Sequence, residues 1–280
     1  MKTTKIHIIL FCISIFVLFS CNQKKEQKIE SAHVVQPKII LDLLDLQKKN
    51  KLGNDTLVTV INDPVYHKTK KYHAVNAIKL LKEEIDLSKI DIKNTIIIFE
   101  CIDGYKPEMS LELFLKANPY LAFKDVDAPK GSNWQRIIKN GNEMNAAPFY
   151  LVYTSSESTN NEEYKWPYNV IKFQLVSKNV NNPLEPKNDE KASKGFVLFQ
   201  KYCTTCHTIN GIGGEMGPEL NYPKNVTEYW KETELVDYIV NPVSFRHKVK
   251  MPTFGITKQQ SQEIVDYLKY ISEHKKVISE

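Results

Sequence analysis

Residues Lys201 to Leu220 read KYCTTCHTINGIGGEMGPEL, and the reading of the remaining chain turns on them. Cys203 and Cys206 stand three positions apart, about one helical turn, and His207 follows at once. Zinc, a redox disulfide and haem all use such residues. A closed zinc site takes four ligands, whereas this stretch offers three, and no second CxxC or HxxxH occurs in the chain. A thioredoxin-type dithiol needs a strand before it and a helix after it; here a helical run precedes Cys203 and glycines follow. Haem fits each feature. Both sulfurs can reach one porphyrin edge, the adjacent imidazole can stand under the iron, and Cys-x-x-Cys-His is the spacing of c-type attachment.

The flanks carry helical periodicity. DEKASKGFVLFQKY, from Asp189 to Tyr202, brings Phe196, Phe199 and Tyr202 to one face, and Gly195 leaves room for a second helix to cross closely. Thr257 and Gln260 form a capping box for a helix from Lys258 to Ser272, with Ile264, Val265, Leu268 and Ile271 as its apolar face. A third helix is expected from Glu232 to Val240, ending at Asn241-Pro242.

Residues from about 190 to 275 therefore resemble a class I, single-haem cytochrome c. The matching elements are GFxLFxxYCxxCH, GGxxGPxL from Gly213 to Leu220, Met251-Pro252 with Phe254, and the final YLKYI. The resemblance implies one covalent haem c, thioether links at Cys203 and Cys206, and His207 as proximal iron ligand. It also implies terminal helices that cross at the glycine, and a carbonyl at Pro218 that orients His207. For the sixth ligand, Met251 before Pro252 stands where the family has its methionine; Met216 on the short loop and His247 are the alternatives. A His/Met pair fills both axial sites and favours electron transfer over gas binding or catalysis. Arg246, Lys248 and Lys250 crowd the approach to Met251, with Lys201 near the cysteines, a cluster able to steer a redox partner with an acidic docking face.

The N-terminus bears on location. Lys2 and Lys5 precede an apolar run from Ile6 to Phe19, short for a membrane span but suited to an export signal. Leu18-Phe19-Ser20-Cys21 resembles a bacterial lipobox, which implies that residues 1–20 are removed and that Cys21 is acylated. Residues 21–37 are polar and lysine-rich and read as a tether. Of the five cysteines, Cys12 falls within the signal and Cys101 is left over, so no disulfide framework is expected. The formal charge of +5 includes the signal lysines, and no basic stripe with interleaved aromatics suggests nucleic-acid binding.

Residues 38–177 mix strand and helix signals. LVTVI (57–61), TIIIFE (95–100), FYLVY (149–153) and VIKFQLV (170–176) read as strands, and 74–85 and 111–117 as helices. YHKTKKYH, with His67 and His73, reads as a surface loop. Asp103 and Glu108 near the DGY turn could form a ligand or partner surface, although turn chemistry alone explains Asp103-Gly104. IIIFECIDGYKPEMSL, AAPFYLVYT and KWPYNVIKFQL together resemble the molybdopterin-binding fold of sulfite-oxidase-like enzymes, whose molybdenum cysteine falls near Cys101. Molybdopterin is not expected, because the segment is too short to wrap the pterin and Arg136 is its only arginine.

The expected protein has several domains: an α+β domain (38–177), a linker (178–190) and an all-α cytochrome c domain (191–280). Its expected role is that of a membrane-anchored c-type cytochrome outside the cytoplasm, in the periplasm, an electron carrier rather than an enzyme. The alternatives are a molybdenum oxidoreductase feeding its own haem, and a haem-based sensor or scaffold.

Overall fold

A computed structural model describes residues 39–139, 141–159, 161–178 and 182–276. Cys12, Cys21, the signal and the tether lie outside the described residues. No helix among the described residues is long and apolar enough to cross a membrane.

The first part is built on one antiparallel sheet. Its strands are β1 (Ile39–Asp42), β2 (Thr56–Asp63), β3 (Lys68–Asn76), β4 (Thr95–Cys101), β5 (Glu108–Ser110) and β6 (Tyr120–Asp125). A separate hairpin, β7 (Ile137–Lys139) and β8 (Asn142–Met144), precedes β9 (Phe149–Val152) and β10 (Tyr168–Ser177). The sheet order is β2-β3-β6-β9-β10-β4-β5, and β1 also pairs with β10. Helices α1 (Leu43–Lys48), α2 (Ala77–Glu84) and α3 (Leu111–Ala117) supply Leu43, Leu46, Leu80, Leu81 and Phe114 to one core face, and a one-turn helix α4 (Ser156–Thr159) follows β9. Phe99, Phe114 and Phe173 meet there with ring centroids 5.4–5.9 Å apart. Each such buried side chain contributes roughly 1.5–3 kcal/mol.

Strand β3 lies where the lysine-rich YHKTKKYH was expected to be a loop. Lys70 is 1% exposed, held by Asp125 at 2.7 Å and Asp127 at 2.9 Å. A charge faces inward where an apolar residue would have announced the strand, and its pairing satisfies the cost of burial. The helix expected over 74–85 starts only at Ala77, because Ala74 to Asn76 pair with β6.

The second part is helical: α5 (Glu190–Tyr202), α6 (Glu232–Val240) and α7 (Lys258–Ser272). Asp189 caps the first, and Thr257 with Gln260 makes both bonds of the capping box on the last. α5 and α7 cross at Gly195, where an added Cβ would lie 1.9 Å from the Glu263 carbonyl oxygen. Phe199 and Tyr267 fill the seam, with ring centroids 5.3 Å apart. Leu184, ahead of α5, is buried in this core, and its carbonyl accepts from Tyr267 Oη at 3.1 Å.

The expected fold class needs correction. An α+β domain followed by an all-α domain does not describe the molecule, because the described residues from Ile39 onward fall in one compact unit. The first part is dominated by an eight-stranded sheet, and the helical part carries a small ribbon, Thr208–Ile209 paired with Ile212–Gly213. The physical reason is non-local: backbone hydrogen bonds join a turn of the sheet part to the CxxCH loop, a pairing that neither stretch signals alone.

Candidate haem site

The CxxCH loop starts where α5 ends. Cys203 is its C-cap, the Cys203 N–H donates to Phe199 O at 2.8 Å, and the His207 N–H donates back to Cys203 O at 2.9 Å. That turn brings both sulfurs and the imidazole onto one wall. Behind it the glycine loop runs alongside: Gly214 N–H donates to Thr204 O at 2.8 Å, Gly217 N–H to Cys206 O at 2.7 Å, and Leu220 N–H to Thr208 O at 3.0 Å. A Cβ on Gly217 would stand 2.4 Å from His207 Cε1, so only glycine lets the loop lie flat against the ring.

Within hydrogen-bond distance of His207 Nδ1, at 2.8 Å, is the Pro218 carbonyl oxygen, which takes up one ring nitrogen and leaves Nε2 for other use. Burial holds the imidazole below its usual pKa, which keeps it neutral and able to ligate at physiological pH. Cys203 is 8% exposed, and burial, with the neighbouring Cys206, pushes its thiol up to about 12. Burial likewise raises Cys206, which lies 3.9 Å from Met216 Sδ. Neither cysteine is in a disulfide with another described cysteine.

The sequence-named residues converge on one cavity of about 300 Å³, lined by Cys203, Cys206, His207, Pro218, Met216 and Met251. His247 is exposed and is not part of the lining. Lys250 is exposed and lines the cavity, Arg246 and Lys248 are exposed on the same segment, and Lys201 leans toward Glu162 at 3.8 Å. Cys101 is buried at the end of β4, where burial, then Asp103 and Glu100, raises its thiol pKa and keeps it protonated. Asp103 Oδ1 accepts from Tyr105 N–H at 3.1 Å, a turn role. His67 is exposed and His73 pairs with Asp55 at 2.8 Å. Among the described residues no group of three or more His, Cys, Asp or Glu could hold a bare metal ion.

Sequence reasoning missed Tyr229, Trp230 and Tyr238, which line the far wall of the cavity. It also missed Asn221 and Asn225, both fully buried, whose side-chain amides donate to Ile271 O and Leu268 O at 3.0 Å. They tie the loop beyond Pro218 to the end of α7. The Asn225–Glu228 capping box was the available signal.

The donor set suits an iron porphyrin. Two cysteine sulfurs, an imidazole and two methionine thioethers line an otherwise apolar cavity, and soft sulfur with imidazole is haem-iron chemistry. The family described as "Cytochrome C oxidase, cbb3-type, subunit III" matches residues 190–268. A cytochrome c from Gossypium barbadense is 31% identical over 103 residues, 30% of this chain and 91% of that protein. One from Theileria parva is 32% identical over 105 residues, 31% of this chain and 90% of that protein. The chain belongs to the cytochrome c family. Among solved structures, a cytochrome c from Rhodothermus marinus is 24% identical, covering 35% of this chain and 90% of that one with a TM-score of 0.27. The cofactor is accordingly covalently bound haem c, and the cytochrome c relationship makes the protein a haem-based electron carrier.

Proposed function

We propose that this protein is a lipid-anchored cytochrome c that passes single electrons between redox partners outside the cytoplasm. One observation supports the reading most: Cys203, Cys206, His207 and Met251 line a single apolar cavity. In this reading Cys203 and Cys206 form the thioethers, His207 and Met251 ligate the iron, and the Pro218 carbonyl orients His207. When bound, the haem supplies an iron that changes oxidation state by one electron. The chain's own residues do the rest. The thioethers prevent loss of the cofactor, Pro218 fixes the ring and its tautomer, and the apolar walls keep water from the iron.

Residues 1–20 act as the export signal, and Cys21 carries the lipid that holds the chain to a bacterial envelope membrane. Lys250 lines the cavity and Arg246 and Lys248 are exposed on the same segment, a cluster that favours a partner with an acidic face.

Two measurements test the parts. Met251→Ala is expected to abolish the weak near-infrared sulfur–iron absorption while the haem stays covalently attached; survival of that band would show Met251 to be the wrong residue. Cys21→Ser is expected to move the protein from the membrane to the soluble fraction. Retention on the membrane would count against acylation.

A further inference from the structure

The carbonyls of the CxxCH loop find their donors in an alternating way. Thr204 O and Cys206 O are taken by Gly214 and Gly217 of the helical part, but Thr205 O, between them, accepts from Lys106 N–H at 2.8 Å. Lys106 belongs to the turn after β4, in the sheet part. The same turn reaches the glycine loop: Glu215 N–H donates to Gly104 O at 2.8 Å, and Lys106 Nζ pairs with Glu215 Oε1 at 2.7 Å. Gly104 is required at this junction. Its φ is +84°, and a Cβ would lie 2.6 Å from the Glu215 carbonyl carbon. Tyr105, between them, packs into the sheet core, and burial followed by the nearby Cys206 raises its phenol pKa.

Glu215 is three residues before Pro218, whose carbonyl holds His207 Nδ1. The segment between has little freedom, since Gly217 is bonded to Cys206 O and lies against the His207 ring. We propose that Gly104 and Lys106 are positioning residues for His207: by gripping Glu215 and Thr205, the sheet part fixes the segment Glu215–Pro218 and with it the hydrogen bond that sets the basicity of the imidazole. The proposal rests on His207 as iron ligand. Its consequence is that the sheet tunes the reduction potential of the haem and is more than a tether for it.

The test compares Lys106→Gln, Glu215→Gln and Gly104→Ala by potentiometric titration of the purified holoprotein. A field effect alone predicts opposite signs, because removing a cation lowers the potential, removing an anion raises it, and Gly104→Ala leaves it unmoved. A shared grip predicts that all three raise the potential, because a slackened Pro218 bond makes His207 a poorer donor to ferric iron. In the reduced protein the His207 Nδ1 proton is expected to exchange with solvent about tenfold faster or more in each variant. Lys106→Arg, which can remake the ion pair, is expected to keep wild-type values. Any other pattern of potentials, or unchanged proton exchange, overturns the proposal. Should Gly104→Ala fail to fold, the two glutamine variants decide it. Failure of the ligand assignment would appear separately, as a wild-type spectrum lacking low-spin haem.

Discussion

With Cys203 and Cys206 both changed to serine, the protein is expected to leave a host competent in cytochrome c maturation without covalent haem. A denaturing gel stained for haem-dependent peroxidase activity should show a strong band for the wild type and none for the double variant. Serine nearly conserves side-chain volume at both positions, so the loss would report the missing thioethers and not a repacked loop. The consequence for folding is also large. Without the haem, the apolar side chains that line the cavity of about 300 Å³ lose the group they pack against and are left facing water. The haem-free helical part is therefore expected to lose its cooperative thermal transition in circular dichroism. Wild-type staining in the double variant would sink the covalent assignment, and an unaltered transition would sink the structural one.

The second large effect is expected at the helix crossing. Gly195→Val places a branched side chain where even a single carbon would lie 1.9 Å from the Glu263 carbonyl oxygen. That oxygen belongs to the backbone of α7 and cannot swing aside, so the two helices must separate along the seam held by Phe199 and Tyr267. Overpacking of this kind is expected to destabilise by about 3 kcal/mol or more. Urea unfolding of the holoprotein, followed by circular dichroism, measures it. Val197→Ala on the same helix serves as the control. Val197 is 66% exposed, so its change is expected to stay within about 0.5 kcal/mol of wild type. Equal stability of Gly195→Val and the control would mean that the helices do not cross at this point.

Parts of the molecule that follow from neighbours in sequence were readable from the sequence. The helix from Lys258 to Ser272 and its capping box depend on residues three and four apart, and the structure has both its bounds and its two capping bonds. Strands Thr95–Cys101 and Phe149–Val152 were visible as apolar runs because both their faces are largely covered. Strand β3 was not visible, since Lys70 occupies an inward position and is stabilised by carboxylates far along the chain. Tyr229, Trp230 and Tyr238 looked like unremarkable aromatics until the fold wrapped them around the cavity.

The sequence by itself determined that two thiols and an imidazole share one turn, because i, i+3 and i+4 proximity is a property of the backbone alone. It also determined three helices, through apolar spacing and caps that act within a few residues. Only the tertiary structure decided that Met251 would line the same cavity and that a sheet turn would supply the donor for Thr205 O. It decided, too, that the chain from Ile39 onward would pack as one unit. Those arrangements join segments many residues apart, and their partners are selected by which buried polar groups and apolar faces remain unsatisfied once each element has formed.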